Sequence, residues 1–415
     1  MDQYYTLMPE NVDIHLEGID QELKTLSIPG YSLDNLREII SLICYHCYKD
    51  EGNRAHLKIE YLRKYVPHAE LYLRGLQEIG VIESSGSYQV GVTAKTYSFT
   101  EPYESRYLKY EITDQKLKNR ISKAQQALKR RNSKKYPIQN SFISTLKIDP
   151  EVHSFIEYTY SGGIAGYNYA MSSATRIEQG DIKFSVDDTS GRYHSNLTNM
   201  PKVMRKFVTV KGVHLKNVDI KNSQPYISTM VLTCPEVISA YAKYSGLSKL
   251  LSSLKVDMTD DVKKYIDLVI SGRLYEYILE EFQRRGLPYT TREEVKEQVL
   301  IILFDRNVHL PRSRKVFSEL FPEVHRVFSL IKGDESGNKF KSFQRFAILL
   351  QRIESHVILN IIVDRLNKEH PEIITATVHD SIMTSIYTDQ VKIVYETMEE
   401  ELLKFVGYPP TLKIE

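Results

Sequence analysis

Apolar side chains at Leu33, Leu36, Ile39, Ile40 and Ile43 recur at helical spacing, and Ser32 stands where an N-cap is needed, so residues 32–48 are predicted to form an amphipathic helix. Two shorter amphipathic pieces follow at 57–66 and 68–79. From Val81 to Phe99 apolar and polar residues alternate around a Ser-Ser-Gly turn, the period-two pattern of a two-stranded hairpin. Further along, the chain mixes helical patterns with short strands, and its strongest strand candidates are Leu215–Ile220 and Ile373–Val378. GYNY near Gly166 and YSGG near Gly162 lack phosphate-loop spacing and read as turns.

Three helices and a hairpin within about 70 residues have the layout of a winged helix, which would bring Arg74, on helix 68–79, near a nucleic-acid groove. Winged helices also bind proteins, so the pattern leaves both partners open. Between 115 and 136 the chain carries nine Lys or Arg and no acid, with Pro137 closing the run. Such a stretch repels itself without a polyanion, and Lys129, Arg130, Arg131, Lys134 and Lys135 are its densest candidates for phosphate-backbone contact; the plainer alternative is a solvated helix face.

Composition narrows the class. The 415 residues are 42% hydrophobic and 26% charged, which excludes a disordered or fibrous chain and allows two or three domains. With 55 Lys plus Arg against 53 Asp plus Glu, any nucleic-acid contact must come from local clusters. Three cysteines build no disulfide framework and the N-terminus lacks a secretory pattern, so a reducing, cytoplasmic setting is expected. Cys44 and Cys47 lie inside the first amphipathic helix and read as packing rather than zinc ligands. Apolar runs such as Val299–Phe304 fall short of the roughly 20 residues that cross a bilayer, and no membrane partner is expected.

Both strand candidates carry an aspartate at or beside their ends, Asp219 in VDIKNSQPYI and Asp380 in TATVHDSIMT. Acids among apolar neighbours are costly to bury unless a cation neutralises them. Two such carboxylates on adjacent strands could hold two Mg²⁺ about 4 Å apart, the arrangement that activates a 3′-hydroxyl and stabilises a leaving pyrophosphate. In TTREEVKEQVLIILFDRN, Arg292, Lys296, Leu300 and Phe304 recur every four residues on one helix face. That face suits a nucleoside triphosphate, with charge for the phosphates and a ring for the base; alternatively Glu293 and Glu297 neutralise the cations on an exposed helix.

Together these motifs resemble the palm and fingers of the DNA polymerase I superfamily (family A), which includes the single-subunit phage RNA polymerases. VDIKNSQPYI looks like the first palm motif, Arg292, Lys296 and Phe304 match the R-x3-K-x7-Y fingers helix with Phe for Tyr, and VHDS looks like the second palm motif. DDTSGRYHSNLTNMP resembles the segment before the first palm motif, with Arg192 on its arginine, and FAILLQRIESHVILNIIVDRL resembles the helix before the second, with Gln351 on its glutamine. Asp305 stands where the family has Gly.

The resemblance implies an α+β fold: a right-hand polymerase core of palm, fingers and thumb at 186–415, a basic thumb-like or linker region at 106–185, and the winged-helix-like domain at 1–105. It implies Asp219 and Asp380 as ligands of two Mg²⁺, with Mn²⁺ as a substitute, and Arg292, Lys296, Phe304 and His379 around the nucleotide. Arg192 and Gln351 would touch the primer-template. Gln224 falls on the glutamate that excludes the ribose 2′-hydroxyl in the DNA enzymes. The implied activity is a compact, exonuclease-free DNA polymerase of phage or mobile-element type, acting on a DNA primer-template and nucleoside triphosphates. The H-D-S at 379–381 leaves a single-subunit RNA polymerase or primase-polymerase, and an RNA template, as alternatives; a non-catalytic replication initiator on a retired palm is a third. Oligomeric state stays open.

Overall fold

The computed structural model describes residues 4–47, 53–85, 95–132, 135–307, 311–333 and 343–415. It is a mixed α+β chain in two compact units, one of Met1–Ser185 with Ser195–His214, the other of Val186–His194 with Leu215–Glu415. Residues 106–185 thus belong to the same unit as 1–105, and the segment 195–214 joins them.

In the first unit the helix Leu33–His46 starts where the spacing placed it, with the Ser32 hydroxyl accepting from the Asn35 N–H. The piece expected at 57–66 is instead a strand, Ala55–Leu57, followed by one helical turn, Ile59–Leu62. That strand pairs with Lys95–Phe99, which also pairs with Ile82–Ser85, so the hairpin becomes a three-stranded antiparallel sheet. The Ser-Ser-Gly turn itself extends beyond the described residues. Alternate burial of Ala55 and Leu57 around exposed His56 is a period-two signal too short to read against the helical pattern beside it.

The basic segment forms the helix Gln115–Asn132, and Leu117, Ile121 and Ala124 bury one side of it. Pro137 does not close that helix; it takes the first position of the next, Pro137–Ser144, where its missing N–H costs nothing. GYNY is not a turn. It lies within the helix Ile164–Glu178, and Asn168 accepts from the Tyr107 N–H (2.9 Å) and donates to the Ser105 carbonyl (2.9 Å). Gly166 is needed there because a Cβ would lie 2.9 Å from Cδ1 of Tyr160.

Glu38 occupies a core position on Leu33–His46, only 4% exposed. Burial first, then the charge of Asp181, pushes its carboxyl up to about 8, with Arg120 opposing. The folded chain therefore keeps Glu38 protonated across a range where the unfolded chain, at its ordinary value of 4.5, ionises. Stability tied to this group is full below pH 4.5 and is lost as pH rises to about 8. Glu38→Gln is expected to remove that loss, on the order of a few kcal/mol, in urea titrations compared at pH 5 and pH 8.5. Equal pH dependence in both proteins would refute it.

The second unit is built around the nearly all-buried helix Ser223–Thr233, packed by the helices Asp260–Ile270, Gln344–His356 and Thr388–Val406. Tyr265 meets Phe321 at 5.5 Å between ring centroids, and Phe328 meets Phe346 at 4.9 Å. Its sheet sets Ser381–Ser385 between Ala376–Val378 and Val213–Ile220, with Leu412–Ile414 on the far side of the last, all antiparallel. The 26-residue helical stretch Gln344–Glu369, wider-wound from Val357 to Ile362, is long and apolar enough to cross a membrane, contrary to the apolar-run count. Of its most apolar window, 61% is buried inside the protein, as in a core helix.

Candidate active site

Along Val213–Ile220, Val218 and Ile220 are buried, so the pleat turns Asp219 to the opposite face. Asp219 stands opposite Ser381 on one side and Lys413 on the other. Ser381 also pairs with Val378, leaving His379 and Asp380 as the turn between their strands. Asp380 therefore sits in a tight turn rather than at the end of a longer strand, and the turn forms because His379 adopts a positive φ of 55°. Sheet register thus places the second acid one residue from the partner of the first.

The Asp380 carboxyl is held far above the usual carboxylate range. Loss of surrounding water is the first cause, followed by the negative charges of Glu354 and Asp219, with Arg192 opposing. Glu354 is an acid that the motif reading passed over. It is 1% exposed on the helix Gln344–His356, one turn after half-buried Gln351. Its Oε1 accepts from Arg192 Nη2 (2.6 Å) and Nε (3.2 Å). Its Oε2 accepts from the Ser223 hydroxyl (2.7 Å) and from Gln224 Nε2. A signal for it existed: an acid between the core positions Ile353 and Val357 needs a buried partner.

Arg192 is accordingly part of this network, its guanidinium engaged by Glu354. A loop folded on Asp187, which accepts from the Thr189 and Ser190 N–H groups, delivers it there. Gln224, on the first turn of Ser223–Thr233, gives its amide N–H to Glu354, and its Oε1 is buried with no hydrogen-bond partner among the described residues. The His379 ring lies 6.0 Å from that of His194, edge to face.

Arg292 opens the helix Arg292–Phe304, whose start is fixed by a capping box between Thr291 and Glu294. Val295, Val299, Ile302 and Leu303 face the core, which leaves Arg292, Lys296, Leu300 and Phe304 on the partly or fully exposed side. Arg292 donates to Glu276 (2.9 Å) and to the Asn222 side-chain carbonyl (3.1 Å), and lies over the Tyr275 ring at 4.9 Å. Burial raises the Tyr275 hydroxyl well above its ordinary value, with Arg292 opposing and Asp380 adding, so cation and acid both act on this ring. Lys413 likewise responds to Asp219 and Arg292, after its ion pair with Glu415. Arg292 and the two aspartates therefore share one neighbourhood; Lys296 stands exposed one turn along the helix.

In the first unit Arg74 is exposed and pairs with Glu78 (3.4 Å). Lys118 pairs with Glu111 (3.9 Å) and Arg120 donates to Asn35, so the acid-free run borrows partners from other elements. Lys135 is exposed above the Tyr136 ring. The side chains of Lys129, Arg130, Arg131 and Lys134 lie outside the described residues.

Among the described residues no group of three or more His, Cys, Asp or Glu side chains is arranged to hold a metal ion. The donor set at Asp219 and Asp380 nevertheless fits Mg²⁺, which takes one or two carboxylates from the protein and completes its shell with water and substrate phosphate. A cation would relieve the repulsion felt by Asp380, while both oxygens of Glu354 are already engaged by Arg192, Ser223 and Gln224.

No protein-family model and no curated protein matches the chain. Among solved structures it is similar to the POL domain of Pol1 from M. smegmatis, a structure in complex with DNA primer-template and dNTP. The identity is 16% and the TM-score 0.31, with 64% of this chain and 55% of that chain covered. This chain thus spans about half of that domain.

Proposed function

We propose that the protein is a template-dependent nucleic-acid polymerase, a compact DNA polymerase of phage or mobile-element type with a palm, fingers and thumb, that extends a strand by two-metal catalysis. The observation that carries this reading is the sheet register that sets Asp219 beside the turn acid Asp380, in the same neighbourhood as Arg292. Asp219 and Asp380 would hold Mg²⁺, which when bound supplies the charge that activates a 3′-hydroxyl and stabilises the leaving pyrophosphate. Arg292, pre-set by Glu276 and Asn222, and Lys296 offer cations to the triphosphate; Phe304 offers a stacking plane and Gln224 borders the sugar. His379 bears on the nucleotide from the turn. The winged-helix-like elements with Arg74, and the basic helix, grip nucleic acid without sequence readout.

Primer extension with separate dNTP and rNTP pools tests the proposal. Incorporation is expected from dNTPs, whereas binding of primer-template with no incorporation from either pool would leave the replication-initiator reading. The helix assignment has its own test. Lys296→Ala deletes one charge-assisted phosphate contact, worth about 1.5–3 kcal/mol, so the nucleotide KM is expected to rise at least about tenfold. Primer-template affinity should hold. Lost DNA affinity with an unchanged KM would turn this helix face toward the template.

A further inference from the structure

The strand Leu412–Ile414 brings to the aspartate site a cation that the sequence motifs pass over. Its register with Val213–Ile220 sets Lys413 directly opposite Asp219, and main-chain bonds exchanged by Asn217 and Glu415 (3.0 and 2.9 Å) hold the strands at that offset. Residues paired across an antiparallel ladder project from the same face of the sheet. Lys413 therefore leaves the sheet on the side of Asp219, opposite to the side on which Val218 and Ile220 are buried. The neighbour of Asp219 in the other direction is Ser381, so of the two residues that flank the acid across the sheet only Lys413 is charged.

The ammonium of Lys413 has a partner of its own, Glu415, to which it donates at 2.7 Å. That pair lies on an open surface, with the lysine side chain 54% exposed. Exposed ion pairs contribute little, because water competes for both members and holding two side chains in one geometry costs entropy. A polyphosphate, with more charge and many acceptor oxygens, competes well against one such carboxylate. Lys413 feels the charges of both Asp219 and Arg292, so acid, guanidinium and ammonium share one neighbourhood. Arg292 is held in place by Glu276 and Asn222 (2.9 and 3.1 Å), whereas Lys413 stands on a flexible four-carbon stem. A fixed cation and a mobile one beside the same acid suit a flexible chain of phosphates.

We propose that Lys413 is a further nucleotide-binding residue of this site, one that leaves Glu415 to hold the polyphosphate of the nucleotide and the pyrophosphate released from it. The inference rests on the polymerase reading above and adds to it a residue outside its motifs. Binding is measured first without a primer-template, by calorimetric titration of dTTP, dTMP and inorganic pyrophosphate, each with Mg²⁺, into the full chain. Lys413→Met should weaken dTTP and pyrophosphate about five- to tenfold and leave dTMP unchanged. Lys413→Arg should recover most of the loss, since a guanidinium also holds phosphate. In primer extension, Lys413→Met should raise the nucleotide KM and the pyrophosphate inhibition constant by the same factor, with kcat within about twofold of wild type. Equal dTTP and pyrophosphate affinity in wild type and Lys413→Met, or an equal loss for dTMP, would overturn the inference. So would tighter Mg²⁺ binding as the sole effect of Lys413→Met, which would make Lys413 the resting counter-ion of Asp219. A wild type that binds dTTP through Lys413 and extends no primer would keep the phosphate contact and remove the polymerase reading alone.

Discussion

Asp380→Asn is expected to abolish nucleotide incorporation while making the folded chain more stable. On the proposed two-metal reading the activity loss follows from removing a metal ligand, which forfeits several kcal/mol of transition-state stabilisation, about 10³-fold or more. The stability gain follows from the electrostatics. Its carboxyl is raised in the folded state by loss of water and by Glu354 and Asp219, so the stability tied to it is full below its ordinary value of 3.8 and is lost as pH rises. A neutral amide removes that loss, and at pH 8 in chelator the variant should melt above the wild type. Mg²⁺ should raise the melting temperature of the wild type and leave that of the variant nearly unchanged, because only the wild type has repulsion for the cation to relieve. Asp219→Asn should lose activity to the same extent. Near wild-type incorporation by either variant, or an equal Mg²⁺ response in both proteins, would remove the two-metal assignment.

Much of this site was legible because its parts are local patterns. Val218, Asp219 and Ile220 alternate in the sequence as they do in the sheet, and the four-residue spacing from Arg292 to Phe304 survives as the face that packing leaves uncovered. What escaped was set by partners far along the chain. Glu354 was hidden because an acid in a helix is ordinary until its neighbours are known, and its three side-chain partners lie 130 to 162 residues away. The pairing of Arg192 with Glu354 was hidden for the same reason, since nothing near Arg192 in the sequence announces a partner so far along the chain. The strand Ala55–Leu57 is too short for its period to compete with the helical signal next to it, and GYNY reads locally as a turn because Asn168 and Gly166 are explained only by Tyr107, Ser105 and Tyr160. Local periodicity thus reports which face is buried, and tertiary contacts decide which buried polar group is neutralised.

Glu354 is where those two levels meet, and its removal should have the largest effect on folding. Glu354→Ala leaves the Arg192 guanidinium, 21% exposed, without its carboxylate and strips an acceptor from Ser223 and Gln224. Breaking a buried pair from one side costs about 3–5 kcal/mol, whereas replacing both members by apolar residues is often neutral. In chemical denaturation, Glu354→Ala should therefore be strongly destabilised, and adding Arg192→Leu to it should recover most of the loss. Glu354→Gln serves a second purpose, because it keeps the shape of the network while deleting the charge. The charge of Glu354 ranks above that of Asp219 among the causes that hold the Asp380 carboxyl up, and Arg192, relieved of its partner, would pull it down. In Glu354→Gln the acid limb of the incorporation-rate profile should then move to lower pH, with activity at pH 6 rising relative to pH 8. An unmoved acid limb in a folded Glu354→Gln protein would show that Glu354 supports the architecture of the unit without tuning Asp380.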